Sequence, residues 1–173
     1  MARKQNRRKA SPAAAILTVL VLAALFVWRM LGSPEDGKTQ ITLPNGELHV
    51  WFLDVGQADS SLLVCDGQAM LIDGGNVDDA SYVVASLEQY GVTSLDYVIN
   101  THCDEDHVGG LAGVLAKFPA EHVWSSTAEY GTKAFSNFVK YANEQGRAIE
   151  IPSPGDTFTL GEAEITVLGP LRD

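Results

Sequence analysis

The sequence predicts an α+β domain preceded by one membrane-spanning helix. Three observations lead to this prediction. An apolar segment follows a basic N-terminus, short β-rich runs separated by turn residues come next, and helical runs then alternate with further strands. We therefore divide the chain into a cytoplasmic basic tail, a membrane anchor, a linker and a globular domain, at residues 1–10, 11–32, 33–46 and 47–173.

The membrane anchor is predicted from charge and length. Five bases lie within residues 3–9, and the stretch from Ala13 to Leu31 carries one charge, on Arg29, which can reach the membrane surface. About 20 apolar residues span a bilayer as a helix. A cleavable signal peptide would be shorter and end in small residues, whereas residues 26–30 are bulky. Because basic flanks stay in the cytoplasm, we expect a single-pass cell-membrane protein with an extracellular globular part.

The globular part is strongly acidic. All 22 acidic residues lie at or beyond Glu35, with only six of the 12 basic residues, so the chain after residue 34 has a formal charge of −16. Such a charge repels nucleic acid at long range, which excludes a basic nucleic-acid groove from this part of the chain. A phosphate-containing substrate must therefore be attracted by bound metal ions.

The domain is predicted to begin with an antiparallel meander. Its three strands cover residues 48–55, 60–65 and 69–72. Gly56 and the Asp66-Gly67 pair supply turn signals between them. A helix over residues 79–90 follows, because apolar side chains recur there at helical spacing, and Gly91 ends it.

The rest of the domain alternates strands and helices. We expect strands at residues 95–99 and 123–124, helices at residues 111–118 and 133–145, and a hairpin formed by residues 158–160 and 165–168. Pro119 and Gly146 end the two helices, and Gly161 lies in the hairpin turn.

Candidate metal ligands cluster between the strand at 95–99 and the helix that follows it. Residues 101–110 read Thr-His-Cys-Asp-Glu-Asp-His-Val-Gly-Gly, and the candidate ligands are His102, Asp104, Asp106 and His107. One ion does not need four ligands from so short a loop, so we expect two divalent ions. A solvated acidic turn with a helix-capping Asp would explain one carboxylate, but not two histidines at this spacing.

The loop resembles the His-x-His-x-Asp-His motif of the metallo-β-lactamase superfamily. Asp104 at its third position, with Gly-Gly following, is similar to the variant in the ComEC family of competence proteins. Residues 52–59, Phe-Leu-Asp-Val-Gly-Gln-Ala-Asp, and residues 71–75, Leu-Ile-Asp-Gly-Gly, resemble two further stretches of that family, from which Ala58 departs. The resemblance implies a four-layer αββα sandwich. Because the family's later ligands have no counterpart after His122, we expect a domain truncated to its N-terminal half.

The resemblance also assigns roles to single residues. Asp106 would bind metal and, as the catalytic residue, orient the attacking water. Asp73 and Asp59 would support the ligands without binding metal. Asp73 can equally be a turn residue, and Asp59 can equally be the start of a strand. A carboxylate in place of a histidine at position 104 makes the site harder, which shifts its preference from Zn²⁺ towards Mn²⁺ or Mg²⁺. The identity of the two ions stays open, with Zn²⁺ or Mn²⁺ expected. Cys103 alternates away from its neighbours, which favours a small buried filler over a ligand.

The function implied is that of a metal-dependent hydrolase, which in competence-type proteins would act on phosphodiester bonds of DNA. The same site would also support hydrolysis of another ester or a lactam. The alternative is a truncated, inactive, membrane-tethered module, because four ligands split between two ions hold each weakly. Hydrolysis by this chain alone is therefore expected to be absent or very slow. An extracellular location would allow Cys65 and Cys103 to pair, which their positions in the sequence leave open.

Overall fold

The structure is a computed structural model that describes residues 43–169. The predicted basic tail and membrane anchor, with most of the linker, lie outside the described residues. Among the residues that are described, no helix has the length and apolar character needed to cross a membrane. The strands are β1 His49–Phe52, β2 Ser61–Cys65, β3 Gln68–Ile72, β4 Leu95–Asn100, β5 Ala120–Ser125, β6 Ile149–Glu150, β7 Thr157–Leu160 and β8 Ala163–Thr166. The α-helices are α1 Ala80–Gln89, α2 Glu105–Val108, α3 Leu111–Lys117 and α4 Lys133–Glu144.

Strands β1 to β6 form one sheet in chain order. The first three are antiparallel neighbours, which confirms the predicted meander, whereas β3, β4, β5 and β6 run parallel. Parallel strands need a crossover connection, and the helices supply it. The carboxyl ends of β3, β4 and β5 therefore meet at one edge of the sheet.

The main core lies between this sheet and the helices. Alternate strand residues pack on the apolar faces of α1, α3 and α4, and many of them, with their helical partners, are fully buried. Representative members are Leu62, Leu71 and Val98 from the sheet and Val83 and Phe138 from the helices. Full burial of a side chain of this size stabilises the fold by about 1.5–3 kcal/mol, so this core fixes the sheet on which the loops are mounted.

The hairpin of β7 and β8 covers part of the opposite face of the sheet. Leu160 from the hairpin and Met70 from β3 are buried together in a second, smaller cluster. The Phe158 ring lies 4.4 Å from the Tyr97 ring and 4.8 Å from the Trp124 ring, measured between centroids. The described residues thus form three layers, one of helices and two of β-sheet, which confirms the predicted α+β class.

The boundaries differ from prediction where pairing decides them. Strand β5 covers Ala120–Ser125, longer than the predicted 123–124, because it pairs with β4 along its length. Strand β6 was not predicted, since its two residues, Ile149–Glu150, are too few to show alternation. Strand β1 ends at Phe52, three residues before the predicted end.

Candidate metal centre

Three separate segments of the chain meet at the carboxyl edge of the sheet. Asp73 directly follows β3, and Thr101 and His102 directly follow β4. Asp59 lies just before the antiparallel strand β2, which starts at this same edge. Backbone hydrogen bonds connect the segments: the Asp59 N–H donates to the Asp106 carbonyl at 3.1 Å, and the Gly75 N–H donates to the Asp59 carbonyl at 2.8 Å. The topology therefore gathers all the sequence-predicted site residues in one place.

Glycines allow the loop after β3 to approach closely the loop at residues 101–110, which carries the candidate ligands and is called the metal loop below. The Gly74 N–H donates to the His107 carbonyl at 2.7 Å, and the Gly110 N–H donates to the Gly75 carbonyl at 3.1 Å. A Cβ atom at Gly110 would lie 2.0 Å from the Gly74 carbonyl oxygen, and one at Gly109 would lie 2.5 Å from the Glu105 carbonyl oxygen. The Gly-Gly pair that ends the motif is thus required by the packing of backbone against backbone.

Three of the four predicted ligands form one compact group. Ligand atoms of His102, Asp106 and His107 all lie within 4.8 Å of one another, and the two imidazole centroids are 3.7 Å apart. Asp104 is outside this group, with its Oδ2 atom 3.6 Å from His102 Nε2. Asp59 is also outside the group, with its Oδ2 atom 3.5 Å from His107 Nε2. The group is therefore flanked by two further carboxylates.

The chemistry of this group fits a divalent metal ion. Imidazole nitrogen and carboxylate oxygen are the protein donors that bind Zn²⁺, Mn²⁺ and iron. The Nε2 atom of His107 points towards carboxylate oxygens, 4.0 Å from Asp106 Oδ2, so a cation between these atoms would be bound by donors of both kinds. His107 is also well sheltered, with 13% of its side chain exposed, whereas Asp106 is 40% exposed. The candidate site is thus sheltered from solvent at His107 and open to solvent at Asp106.

The buried Asp73 side chain contacts the metal loop at Thr101 and His107. Its side chain is nearly fully buried, and its backbone adopts φ 58°, a left-handed conformation that non-glycine residues adopt uncommonly. Its Oδ2 atom lies 2.9 Å from His107 Nδ1, and its Oδ1 atom accepts a 2.8 Å hydrogen bond from the Thr101 N–H. Asp73 therefore contacts the candidate ligand His107 and the residue before His102, and its role as a support for metal ligands stays a prediction.

Cys103 points away from the group, as its alternation predicted. The side chain is buried, and its Sγ atom accepts a hydrogen bond from Asn100 Nδ2 at 3.6 Å. Burial raises the pKa of the Cys103 thiol, and its Sγ atom is not part of the donor group. Cys65 is buried as well, and both cysteines are free, so the disulfide that the sequence allowed is not formed.

Thr101 is a site residue that the sequence-based reasoning did not identify. Its hydroxyl Oγ1 atom lies 2.6 Å from Asp73 Oδ2 and 3.2 Å from His102 Nδ1. The available signal was its position, because a hydroxyl at the end of β4 directly precedes the first histidine.

Comparison with known proteins gives one family and a consistent fold. The sequence model of the metallo-beta-lactamase superfamily matches residues 53–172. Competence protein ComA of Neisseria gonorrhoeae is 33% identical over 113 residues, which are 65% of this chain and 15% of that protein. The chain spans between 14% and 19% of the length of the curated relatives it matches.

Two solved structures show the same fold. MEM-A1, a subclass B3 metallo-beta-lactamase from a soil metagenome library, superposes with a TM-score of 0.54 at 18% identity, over 76% of this chain and 53% of its own. The chemotaxis sensor ODP, solved as a peroxy diiron species, superposes with a TM-score of 0.50 at 24% identity, over 68% of this chain and 47% of its own. At these identities the likeness concerns the fold alone.

Proposed function

The chain belongs to the metallo-beta-lactamase superfamily, and on that basis we propose that it is a metal-dependent hydrolase. The observation that carries this proposal is the group formed by His102, Asp106 and His107, whose ligand atoms lie within 4.8 Å of one another at the open edge of the sheet. A rigid sheet positions them, and a buried carboxylate holds one of the histidines. This arrangement is suited to keeping a Lewis acid in contact with solvent and substrate.

Each residue of the centre has a distinct task in this proposal. A bound divalent ion would acidify a water molecule and polarise the bond to be cleaved. His102 and His107 would hold the ion through Nε2, and the contact with Asp73 keeps the His107 ring from turning away. Asp106, which is part of the group yet partly exposed, would both hold the metal and accept a hydrogen bond from the attacking water.

We assign two ions to the complete centre, Zn²⁺ or Mn²⁺. The carboxylates of Asp104 and Asp59, which lie 3.6 Å from His102 Nε2 and 3.5 Å from His107 Nε2, extend the donor set beyond what one ion needs. Four donors are supplied by the loop itself, namely His102, Asp104, Asp106 and His107. The high share of carboxylates supports Mn²⁺ as a competitor of Zn²⁺. The diiron state of the ODP sensor supports a two-ion centre on this fold.

Phosphodiester bonds, and DNA in particular, are the substrate class that we propose. The resemblance to competence proteins, among them ComA of Neisseria gonorrhoeae, supports this assignment. The chain beyond residue 34 carries a formal charge of −16, so a phosphate would be attracted only where bound cations reverse the local field. The substrate is therefore held through its scissile phosphate, without a basic nucleic-acid groove.

We place the domain outside the cell, on a membrane anchor formed by the stretch from Ala13 to Leu31. The basic cluster at residues 3–9 supports this orientation. Protease added to intact cells should remove the globular domain and leave a membrane-bound fragment of the N-terminal residues. Full protection of the chain would contradict this placement.

A membrane-tethered module without catalysis is the second candidate. The number of donors favours this candidate. Within residues 43–169 the group contains three side chains. A catalytic ion is commonly held by three protein ligands of its own, so three side chains are too few for two such ions. A module of this kind would bind metal weakly and leave all substrates intact.

Hydrolysis assays at excess protein separate these possibilities. Bis(p-nitrophenyl) phosphate, plasmid DNA and the lactam nitrocefin are incubated with the chain and Mn²⁺ or Zn²⁺, and with the same mixtures containing EDTA. We expect slow phosphodiester cleavage that EDTA and Asp106→Ala abolish and that Glu105→Ala retains. Cleavage of nitrocefin alone would reassign the substrate. Metal binding without any cleavage would favour the non-catalytic module.

A further inference from the structure

The Thr101 hydroxyl lies between a carboxylate and a metal-binding imidazole. Its Oγ1 atom is 2.6 Å from Asp73 Oδ2 and 3.2 Å from His102 Nδ1. The backbone of Thr101 is fixed by its own N–H, which donates to Asp73 Oδ1 at 2.8 Å. The hydroxyl is therefore held in a defined place beside His102.

Counting protons on this hydroxyl determines the direction of both hydrogen bonds. A Thr hydroxyl has one proton and two lone pairs, and a carboxylate only accepts hydrogen bonds. The shorter contact, to Asp73, therefore takes the hydroxyl proton. Only lone pairs then face His102 Nδ1, so the 3.2 Å contact is a hydrogen bond only if this nitrogen carries the proton. In the neutral ring, the Nε2 atom of His102 is then the unprotonated one.

The tautomer of the second histidine, His107, is also fixed by a hydrogen bond. His107 Nδ1 lies 2.9 Å from Asp73 Oδ2 and donates its proton to that carboxylate. Its Nε2 atom points towards the carboxylates of Asp59 and Asp106, at 3.5 Å and 4.0 Å. One buried carboxylate thus sets His107 directly, and it sets His102 through the Thr101 hydroxyl.

We propose that Thr101 is a positioning residue that passes the orienting effect of Asp73 to His102, so that both imidazoles present an unprotonated Nε2 atom to the metal. This inference rests on the proposed metal centre and deepens it. The tautomer must be right before metal arrives, because only an unprotonated ring nitrogen can bind a metal ion. The relay therefore exists in the metal-free protein, where it can be measured directly.

Two substitutions at this position isolate the hydroxyl. Thr101→Val keeps the shape of the side chain and removes the oxygen, whereas Thr101→Ser keeps the oxygen and removes the methyl group. Thr159→Val, at an exposed position of β7, applies the same change away from the metal loop. A purely steric role for Thr101 would make Ser the harmful replacement.

The test is nitrogen-15 NMR of the histidine rings in the full chain without metal, at a pH where the rings are neutral. We expect His102 in the wild type and in Thr101→Ser to carry its proton on Nδ1, and Thr101→Val to show a mixture of the two tautomers, with His107 unchanged. The Thr159→Val spectrum should match the wild type. A wild-type His102 protonated on Nε2, or a tautomer unaffected by Thr101→Val, would overturn the relay.

Metal titration of the same proteins supplies the second readout. Loss of a residue that orients a ligand typically weakens metal binding 10- to 100-fold, and for Thr101→Val we expect about tenfold, with affinity restored in Thr101→Ser. Equal losses in Val and Ser would contradict the proposal. A wild type that binds no metal yet shows the Nδ1-protonated His102 would refute the proposed metal centre and leave the hydrogen-bond relay standing.

Discussion

The carboxylate of Asp73 and the imidazole of His107 are joined by a 2.9 Å hydrogen bond across two segments of chain that lie 34 residues apart. The carboxylate follows β3, and the imidazole belongs to the helical turn α2 after β4. Because β3 and β4 are parallel neighbours, both segments emerge at the same edge of the sheet. The pair therefore links the core of the fold to the donor group of the candidate metal centre.

Removing the charge of Asp73 should weaken metal binding and also destabilise the fold. In Asp73→Asn the amide NH₂ group would face donors at Thr101 and His107, which leaves the His107 ring without its partner. We expect a 10- to 100-fold loss of Zn²⁺ affinity and about 1–3 kcal/mol of lost stability, measured by calorimetry and thermal unfolding. Asp79→Asn is the control, because the Asp79 carboxylate accepts the Asn76 N–H at 2.8 Å in a neighbouring turn. An equal loss of affinity in the control would contradict the role of Asp73.

The Gly-Gly pair of the motif should tolerate no side chain. Gly110→Ala would bring Cβ to within 2.0 Å of the Gly74 carbonyl oxygen, so the two backbones must separate. We expect a loss of more than about 2 kcal/mol in the free energy of unfolding. Gly131→Ala is the matched control, because a Cβ there meets nothing within 4 Å, and its effect should stay within about 0.5 kcal/mol. Similar effects at the two positions would disprove the close approach.

Asp66 should make part of the fold sensitive to acid. Its carboxylate accepts the Gly46 N–H at 2.7 Å and the Glu162 N–H at 2.9 Å, which ties the turn before β1 and the β7–β8 hairpin to the turn between β2 and β3. These hydrogen bonds hold the pKa of Asp66 below its ordinary value of 3.8. A lowered folded-state pKa contributes stability above the unfolded-state value, and this stability is lost as the pH falls through the folded-state value.

Comparison of Asp66→Asn with the wild type at two pH values tests this contribution. Asn also tolerates the φ of 50° at this position, and its NH₂ group replaces one of the two accepting oxygens, so the substitution removes the charge together with one acceptor. We expect a lower melting temperature for the variant at pH 7 and a difference that shrinks as the pH is lowered below about 4. A difference of the same size at both pH values would show that the charge contributes nothing.

Both thiols should be unreactive in the folded protein. Cys65 and Cys103 are buried and free, so alkylating reagents should label them only after unfolding, and the intact mass should correspond to two reduced cysteines. A mass lower by two hydrogens, or rapid labelling of the native protein, would contradict the structure.

The sequence alone predicted the local elements well, whereas the donor loop stays a prediction, of which the structure brings His102, Asp106 and His107 together. Alternation and turn residues located the meander, and helical spacing located α1 and α4, because these signals depend on neighbours along the chain. The loop residues were singled out as candidate donors because imidazole and carboxylate groups are the usual protein ligands of divalent metals. Their convergence with Asp73 and Asp59 was not predictable in the same way, since it depends on the parallel pairing of β3 with β4.

Thr101 shows where this kind of prediction ends. A hydroxyl before a histidine has no special meaning until the Asp73 carboxylate is placed 2.6 Å away by a strand that pairs from elsewhere in the chain. The two-residue strand β6 is a similar case, because it exists only through its pairing with β5. Long-range contacts of this kind leave no local pattern.

Titration of metal into the wild type and two adjacent variants tests the central claim most directly. Asp106 belongs to the donor group, whereas its neighbour Glu105 does not, so Asp106→Ala and Glu105→Ala remove the same type of charge at consecutive positions. We predict saturable binding of both Zn²⁺ and Mn²⁺ to the wild type by isothermal titration calorimetry, with Zn²⁺ the tighter. Asp106→Ala should weaken binding at least about tenfold, and Glu105→Ala should leave it unchanged. Equal losses in the two variants, or no saturable binding to the wild type, would mean that the loop is an acidic surface and not a metal centre.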